Sequence, residues 1–321
     1  MKLKSFIKSN YFLLVILAVL IFSIMFPTLG LKTKEAGVLD ILTFIAMFSS
    51  SLGLSFKNLT SGLKDYKSIL YSFVAVFFIF PLVTWILMYI TSFRQGDVFT
   101  GFMILSAQSS TVSSGVVLTM AASGNVPLAL IITIVNNILS AFVTPTVLKF
   151  ILTTDQQIVF NIGEMISNLV VVLVVPVLLA QVIRLFVEKW LKYINPVRKV
   201  IGQIVVVFFV LTGGASAAGQ LTSNIKLVFI VVLLVAVLNI AMMAIGKAYS
   251  RIVKVGKESE IAIMFNSSQK TLPATILIWG NYFSQYSFAP IVFVAYHMTQ
   301  LIIGSVVGSK YKTLIEAEKK K

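Results

Sequence analysis

Residues 106–114 read Ser-Ala-Gln-Ser-Ser-Thr-Val-Ser-Ser, and residues 266–271 read Asn-Ser-Ser-Gln-Lys-Thr. Each polar run lies in the middle of an apolar segment that is long enough to cross a bilayer. An unsatisfied polar group in hydrocarbon costs several kcal/mol, so such runs normally face protein or a watery cavity. Paired interruptions in corresponding segments of two halves are typical of broken helices that cross at the membrane midplane. The two runs therefore predict a polar crossing buried in the membrane.

The composition is that of an integral membrane protein. Hydrophobic residues make up 58% of the 321 positions and charged residues only 12%, whereas soluble domains have roughly 45–50% and roughly 25%. The absence of cysteine excludes disulfides, thiolate metal sites and cysteine nucleophiles. With one histidine, zinc or haem ligation is not expected. The net charge of +15 lies almost entirely in short loops, which argues against a nucleic-acid partner.

Ten apolar segments divide the chain, and each is near or above the roughly 20 residues that a tilted transmembrane helix needs. No loop is long enough to bury a core of its own, so we predict an all-α polytopic membrane protein. The first segment follows three lysines but is too long for a signal peptide and lacks a small-residue cleavage site, so we interpret it as a retained span. The segments are 10–29, 37–56, 68–92, 98–122, 126–151, 162–187, 197–218, 226–247, 259–280 and 286–309.

The distribution of lysine and arginine predicts the orientation. If the N-terminus is cytoplasmic, 20 of the 26 basic residues lie on the cytoplasmic side and five on the far side, while Lys270 lies inside a span. This excess indicates a multi-pass protein of the cell's inner (cytoplasmic) membrane with both termini in the cytoplasm. We expect a monomer.

Five spans per half is an odd number, so the two halves insert with opposite orientation, as inverted repeats require. Residues 108–110, Gln-Ser-Ser, lie 158 positions before residues 266–268, Asn-Ser-Ser, which gives modest support. A polar linker is expected near 152–161. The predicted halves are residues 1–156, with spans one to five, and residues 157–321, with spans six to ten.

The residue types in the two runs suit an unwound helix. The hydroxyls of the first run can donate and accept hydrogen bonds, and Gly115 lets the backbone leave the helix. Pro273 follows the second run and cannot donate to a helix ladder. Unwinding would point helix N-termini at the crossing and free carbonyls for a cation. The alternative is ordinary hydrogen bonding and close packing between helices, which membrane bundles also use.

Lys270 is the most informative single residue. A charge near the bilayer centre is costly, and ionisable residues there mark functional sites by default. Snorkelling is the alternative, but Lys270 lies about eleven residues into its span. No carboxylate lies deep in any span, because Asp40, Glu164 and Glu260 are near segment starts. The sequence leaves two solutions open: the amine loses its proton, or an anionic substrate is its counter-ion.

The last span adds His297 and Gln300, which a helix places on one face with Gly304. A lone buried histidine is more often structural, although an imidazole can shuttle protons between pH 5 and 8. In the fifth span, Asn137 lies at a similar depth, one turn after Thr133. The predicted substrate-binding residues are Ser109, Ser110, Thr111, Asn137, Asn266, Ser267, Ser268, Gln269, Lys270, Thr271, His297 and Gln300.

Three motifs resemble a known family. They are Thr-Val-Ser-Ser-Gly-Val-Val-Leu-Thr at 111–119, Ser-Gln-Lys-Thr-Leu at 268–272, and Tyr-His-x-x-Gln-x-x-x-Gly-Ser at 296–305. Together they resemble the bile acid:sodium symporter superfamily, and within it the sodium/bile-acid-like branch that includes the seventh vertebrate bile-acid carrier. The resemblance covers nearly the whole chain. It implies ten helices in two inverted repeats, a panel domain beside a core domain, crossed fourth and ninth helices, and transport of organic anions with sodium.

One departure bears on coupling. Family members typically place a glutamate and a neighbouring Gln-Asn in the unwound ninth helix to hold sodium. Here residues 261–267 read Ile-Ala-Ile-Met-Phe-Asn-Ser, and Glu260 lies one position off and too early. We therefore hypothesise that Lys270 substitutes for at least one bound sodium, so that transport is sodium-independent or proton-linked. The resemblance carries candidate sodium ligands only to Ser113, Ser114, Thr133 and Gln269, and no other cofactor is expected.

These features favour a secondary transporter of a small organic anion that works by alternating access and is coupled to sodium or protons. A membrane-embedded enzyme would need a convergent nucleophile and base, and none is visible. The remaining alternative is a regulatory membrane protein with a degenerate site that no longer transports. The sequence names neither the substrate nor the direction of transport.

Overall fold

The computed structural model describes residues 2–54, 62, 65–111, 114–156 and 160–318. Within these ranges the regular structure is entirely helical, which confirms the predicted all-α class. The helices are α1 (Lys2–Met25), α2 (Pro27–Glu35), α3 (Leu39–Leu52), α4 (Tyr66–Ile90), α5 (Gly96–Ser106), α6 (Ser114–Ala121), α7 (Val126–Gln156), α8 (162–187), α9 (Leu191–Ser223), α10 (Ile225–Ile252), α11 (Lys257–Ser268), α12 (Leu272–Tyr282) and α13 (Ala289–Glu318).

Several of these helices have the length and apolar composition needed to cross a bilayer. They are α4, α7, α10 and α13, together with the stretch Ile162–Leu221, and the bent pair α1–α2 would add a sixth. The stretch Ile162–Leu221 has 60 residues, which would span about 90 Å as one helix, three times the hydrocarbon thickness. It is interrupted by a 3₁₀ turn at Glu188–Trp190, where α8 ends and α9 begins.

Hydrogen bonds to α3 show that this long stretch doubles back. Asn168 near the start of α8 donates to the Asp40 carboxylate, whereas Gln181 near its end donates to the carbonyl of Ser51. The α8 helix is therefore parallel to α3. Arg198, early in α9, donates to the carbonyl of Ser49, so the chain returns from the same end. The two helices form an antiparallel hairpin.

Two predicted boundaries are wrong. The first predicted span, 10–29, ends earlier, because α1 stops at Met25 and α2 leaves at 92°. Pro27 explains the bend, since its ring and missing N–H are compatible with the first turn of a new helix but not with the interior of an old one. The predicted polar linker also begins too early, since α7 continues to Gln156.

The helices pack into two groups. The first group contains α1, α2, α3, α8 and α9, and the second contains α4 to α7 and α10 to α13. Contacts between the groups include α9 with α13 and α3 with α12. Asn281, at the end of α12, donates to the Asp40 carboxylate at 2.9 Å, and the Lys34 ammonium lies 4.5 Å from the centre of the Trp279 ring. We call this end of the molecule the Asp40 end.

Candidate functional site

The two polar runs are the places where helices stop. The first break separates α5, which ends at Ser106, from α6, which begins at Ser114, and the second separates α11 from α12. The two breaks touch: the backbone N–H of Thr271 donates to the carbonyl of Ser109 at 3.2 Å, and the Ser114 hydroxyl donates to Oε1 of Gln269 at 3.0 Å. Because α6 and α12 both begin here, their positive N-terminal ends point towards the contact.

Local chemistry explains each interruption. The Thr111 hydroxyl accepts the N–H of Ser114 at 2.9 Å and so caps the start of α6, a role that favours hydroxyl side chains over a continuous helix. At the second break, Gln269 and Thr271 have extended backbone dihedral angles. Pro273 occupies the first turn of α12, where its missing N–H costs nothing.

Helix α7 holds the first break in place. Asn137 accepts a hydrogen bond from the Ser109 hydroxyl at 2.9 Å and donates to the carbonyl of Ser110 at 3.0 Å. One turn earlier, the Thr133 hydroxyl donates to Oδ1 of Asn266, at the end of α11, at 2.7 Å. All of these side chains are fully buried, so α7 ties both breaks together inside the protein.

The Gln300 side chain of helix α13 holds Lys270 in the second break. Oε1 of Gln300 accepts the backbone N–H of Lys270 at 2.8 Å, and Nε2 of Gln300 donates to the carbonyl of the same residue at 3.0 Å. The amide thus replaces both hydrogen bonds that the unwound residue loses. Nε2 of Gln300 also lies 3.2 Å from Nδ1 of His297, and the carbonyl of Gln300 accepts Nε2 of Gln269 at 3.4 Å.

The Lys270 ammonium has partners that the sequence did not reveal. Nζ donates to three backbone carbonyls, those of Val76 at 2.9 Å, Ser106 at 2.7 Å and Gln108 at 2.6 Å. It also lies 4.1 Å from the centre of the Phe80 ring, within cation–π range. Three acceptors match the three donors of an ammonium group. The sequence left open a deprotonated amine or a substrate counter-ion, and the three carbonyls supply a third solution.

A π turn in α4 makes one of these carbonyls available. The turn covers Ala75–Ile79, and within it the N–H of Phe80 bonds the carbonyl of Ala75. The next nitrogen, which would pair with the carbonyl of Val76, belongs to Pro81 and carries no hydrogen. The carbonyl of Val76 is thus left for Lys270. The other two carbonyls lie at the C-terminal, negative end of α5, where a cation is favoured.

Not every predicted residue forms a side-chain hydrogen bond across the crossing. The hydroxyls of Ser267 and Ser268 donate to carbonyls one turn earlier in α11, at 2.7 and 2.9 Å. The Ser110 hydroxyl is buried and has no protein partner in the described part of the chain. Ser113, a candidate sodium ligand, lies outside the described residues.

Sequence reasoning missed two side chains that complete the second break. The carbonyl of Ser268 accepts hydrogen bonds from Asn239 at 3.0 Å and from the Tyr296 hydroxyl at 2.7 Å. Asn239 is an isolated asparagine in the apolar eighth predicted segment, and that isolation is the signal that could have found it. Tyr296 belongs to the motif at 296–305, but its neutral side chain gave no reason to select it as a site residue.

The side-chain oxygens of Thr111, Ser114 and Gln269 have the chemistry of ligands in a weak monovalent-cation site. The Ser114 hydroxyl lies 2.8 Å from the Thr111 hydroxyl and 3.0 Å from Oε1 of Gln269, so three neutral oxygens meet there. Hard cations prefer oxygen ligands. Thr133 is engaged separately with Asn266. Among the described residues there is no cluster of three or more His, Cys, Asp or Glu side chains that could hold a metal ion.

Comparison of the sequence with known proteins shows which family the chain belongs to. Residues 10–313 match the model of the SBF-like CPA transporter family. The chain is 26% identical to the sodium/bile acid cotransporter 7-B of Xenopus laevis, over 98% of this chain and 95% of that protein. It is 24% identical to the probable chloroplastic sodium/metabolite cotransporter BASS4 of Arabidopsis thaliana, over 95% of this chain and 73% of that protein. An uncharacterized protein of Pseudomonas aeruginosa is 26% identical over 95% of this chain and 93% of its own length. The chain is therefore a multi-pass membrane protein of the SBF-like CPA transporter family, a family of transporters and not of enzymes.

Proposed function

We propose that this protein is a secondary active transporter of a small organic anion, and that the two helix breaks form its substrate and coupling site. The observation that carries the proposal is the contact between the breaks through Ser109, Thr271, Ser114 and Gln269, beside a buried lysine. Unwound helices at this depth persist only where they are buried in protein or line a cavity. The positive N-terminal ends of α6 and α12 and the Lys270 ammonium favour an anion near the crossing.

In this proposal the chain crosses the membrane ten times, in two inverted repeats of five spans. The α1–α2 pair, the α5–α6 pair and the α11–α12 pair each count as one span, and α8 and α9 count as two. The hairpin of α8 and α9 and the doubled breaks support this count. The distribution of basic residues supports an orientation with both termini in the cytoplasm and the Asp40 end on the far side of the inner membrane.

The two groups of helices support a mechanism of alternating access. The first group corresponds to a panel domain and the second to a core domain that carries the crossing. The contacts of Asp40 with Asn281 and of Lys34 with Trp279 join the two groups at the Asp40 end. We propose that these contacts break when the site opens to the far side.

Coupling in this proposal uses a fixed cation. Helix-end carbonyls of the kind that hold Lys270 are ligands that a sodium ion accepts. The Lys270 ammonium therefore takes the place of one coupling ion. A second ion, sodium or a proton, accompanies the substrate, and for sodium the oxygens of Thr111, Ser114 and Gln269 are the candidate ligands.

Anion uptake into proteoliposomes tests the proposal, with a cysteine cross-link that fixes the two helix groups together and can be reversed by reduction. The chain has no cysteine, so Asp40→Cys with Asn281→Cys introduces a single cross-linkable pair between the groups. We expect uptake of small carboxylates by the wild type and at least about tenfold slower uptake after cross-linking, with recovery on reduction. The two single-cysteine variants treated with the same reagent are the controls. A folded wild type that moves no organic anion under any sodium or proton gradient would indicate a regulatory protein instead.

A further inference from the structure

The outer surface carries a groove that the proposed transport cycle does not use. It lies between α4 and α7, has a volume of about 530 Å³ and is lined almost entirely by apolar side chains, including Phe78, Leu82 and Trp85 of α4 and Val147 and Phe150 of α7. Leu82 is 56% exposed and Phe150 is 78% exposed. This volume is in the range of small-molecule sites, so the groove suits a slender apolar ligand.

The groove runs from the level of the helix breaks towards the membrane surface. Val76 and Thr144 mark the inner end, because the carbonyl of Val76 accepts a hydrogen bond from Lys270 of the second break and Thr144 donates to the carbonyl of Ala107, in the first break, at 2.7 Å. From Phe77 to Trp85 the α4 wall rises through eight residues, about 12 Å. That is close to the thickness of one hydrocarbon leaflet, roughly half of 30 Å.

Cations and aromatic rings lie at the outer part of the groove. A second cavity of about 360 Å³ shares Thr146 and Phe150 with the first and is also lined by Lys149. Lys149 lies five residues beyond Thr144, about 8 Å towards the surface, and its stem can carry the ammonium further. The arrangement is that of an interfacial belt that ends in positive charge.

The α4 wall ends in a second positive group. The Trp85 ring stacks on Tyr89, with 5.4 Å between ring centres, and the Arg94 guanidinium lies 4.0 Å from the centre of the Tyr89 ring. The Arg94 guanidinium and the Lys149 ammonium therefore put two positive groups at the outer end of the groove.

We propose that this groove binds one acyl chain of an anionic phospholipid, with the lipid phosphate between Lys149 and Arg94. The apolar walls contact the acyl chain, the Trp85–Tyr89 pair contacts the glycerol region, and the two cations bind the phosphate. The inner end of the groove borders the π turn that supplies the carbonyl of Val76 to Lys270. The lipid therefore packs against the turn that positions the buried ammonium.

Tryptophan quenching by brominated lipids tests the site directly, because Trp85 lines the groove and the chain has only two other tryptophans. The reporter carries Trp190→Phe and Trp279→Phe and is reconstituted with brominated phosphatidylglycerol or brominated phosphatidylcholine of the same chain length. We expect phosphatidylglycerol to quench Trp85 with about fivefold higher apparent affinity. Lys149→Gln should remove that preference, whereas Lys226→Gln, an exposed lysine at the same end, should leave it intact.

Two results would overturn the lipid site. One is quenching that follows the bulk fraction of either lipid equally in the reporter chain. The other is the same loss of preference in Lys149→Gln and Lys226→Gln. If the double tryptophan variant does not fold, the Lys149-dependent difference is measured in the chain that keeps all three tryptophans. Leu82→Phe, which narrows the groove without adding an indole, should then weaken quenching of Trp85 by both lipids.

Discussion

Lys270→Ala is expected to lower the free energy of unfolding by about 3 kcal/mol or more and to slow transport about 100-fold. The reason is that the three carbonyls that hold the ammonium stay buried and lose their donor, and each unsatisfied buried group costs about 1–3 kcal/mol. Lys270→Met, which keeps the volume of the stem, should lose nearly as much. Lys226→Ala, which removes an exposed lysine, is the control and should change neither quantity measurably.

The same variant tests whether the ammonium stands in for a cation. A sodium ion can enter the three-carbonyl cage that Lys270→Ala vacates, so sodium should raise the melting temperature of the variant by several degrees relative to choline. Wild type should gain much less from this site, because its cage is filled. Equal responses to sodium in the two proteins would contradict the proposed role of the lysine. Pro81→Ala should give an intermediate response to sodium, because the backbone N–H that it introduces competes with Lys270 for the carbonyl of Val76.

Gln300→Leu is expected to lower the free energy of unfolding by about 2–4 kcal/mol and to abolish measurable uptake. The substitution keeps a side chain of similar size but leaves the backbone N–H and carbonyl of Lys270 without partners. The second break then loses the two hydrogen bonds that hold the unwound backbone of Lys270. Denaturant or thermal unfolding in detergent and uptake into proteoliposomes measure the two effects.

Gln203→Leu is the matched control for this variant. Gln203 exchanges hydrogen bonds with the Tyr11 hydroxyl at the exposed surface of α9. Its loss should cost less than about 1 kcal/mol, because water replaces the lost partner. If both glutamine variants lost the same stability, Gln300 would be an ordinary contact between helices, and its proposed role in holding the second break would be contradicted.

The sequence predicted the positions of the breaks but not how they are stabilised. Polar runs in apolar segments give a strong signal for an interruption, and both runs do separate helices in the structure. That signal could not predict that the Ser267 and Ser268 hydroxyls bond their own helix. A serine hydroxyl in a helix can donate to a carbonyl one turn earlier. Composition alone cannot distinguish a hydroxyl that faces the crossing from one that bonds its own helix.

The partners of Lys270 were unpredictable for a different reason. They are backbone carbonyls, which every residue carries, and one of them lies 194 positions away in the chain. Its availability depends on a π turn and on the missing N–H of Pro81. A resemblance to a family supplies side-chain ligands residue by residue, but it contains no information on which carbonyls are left without a donor.

Thiol accessibility at the first break tests the central claim, that water and solute reach this crossing during transport. Ser110→Cys replaces a buried hydroxyl that has no protein partner in the described chain, in a protein with no other cysteine. A membrane-impermeant thiol reagent should label it from either side of reconstituted vesicles, at rates that change when substrate and coupling ion are added. Leu233→Cys, at a lipid-facing position of α10, should remain unlabelled. A cysteine at 110 that reacts no faster than the one at 233, in vesicles that transport, would contradict the account.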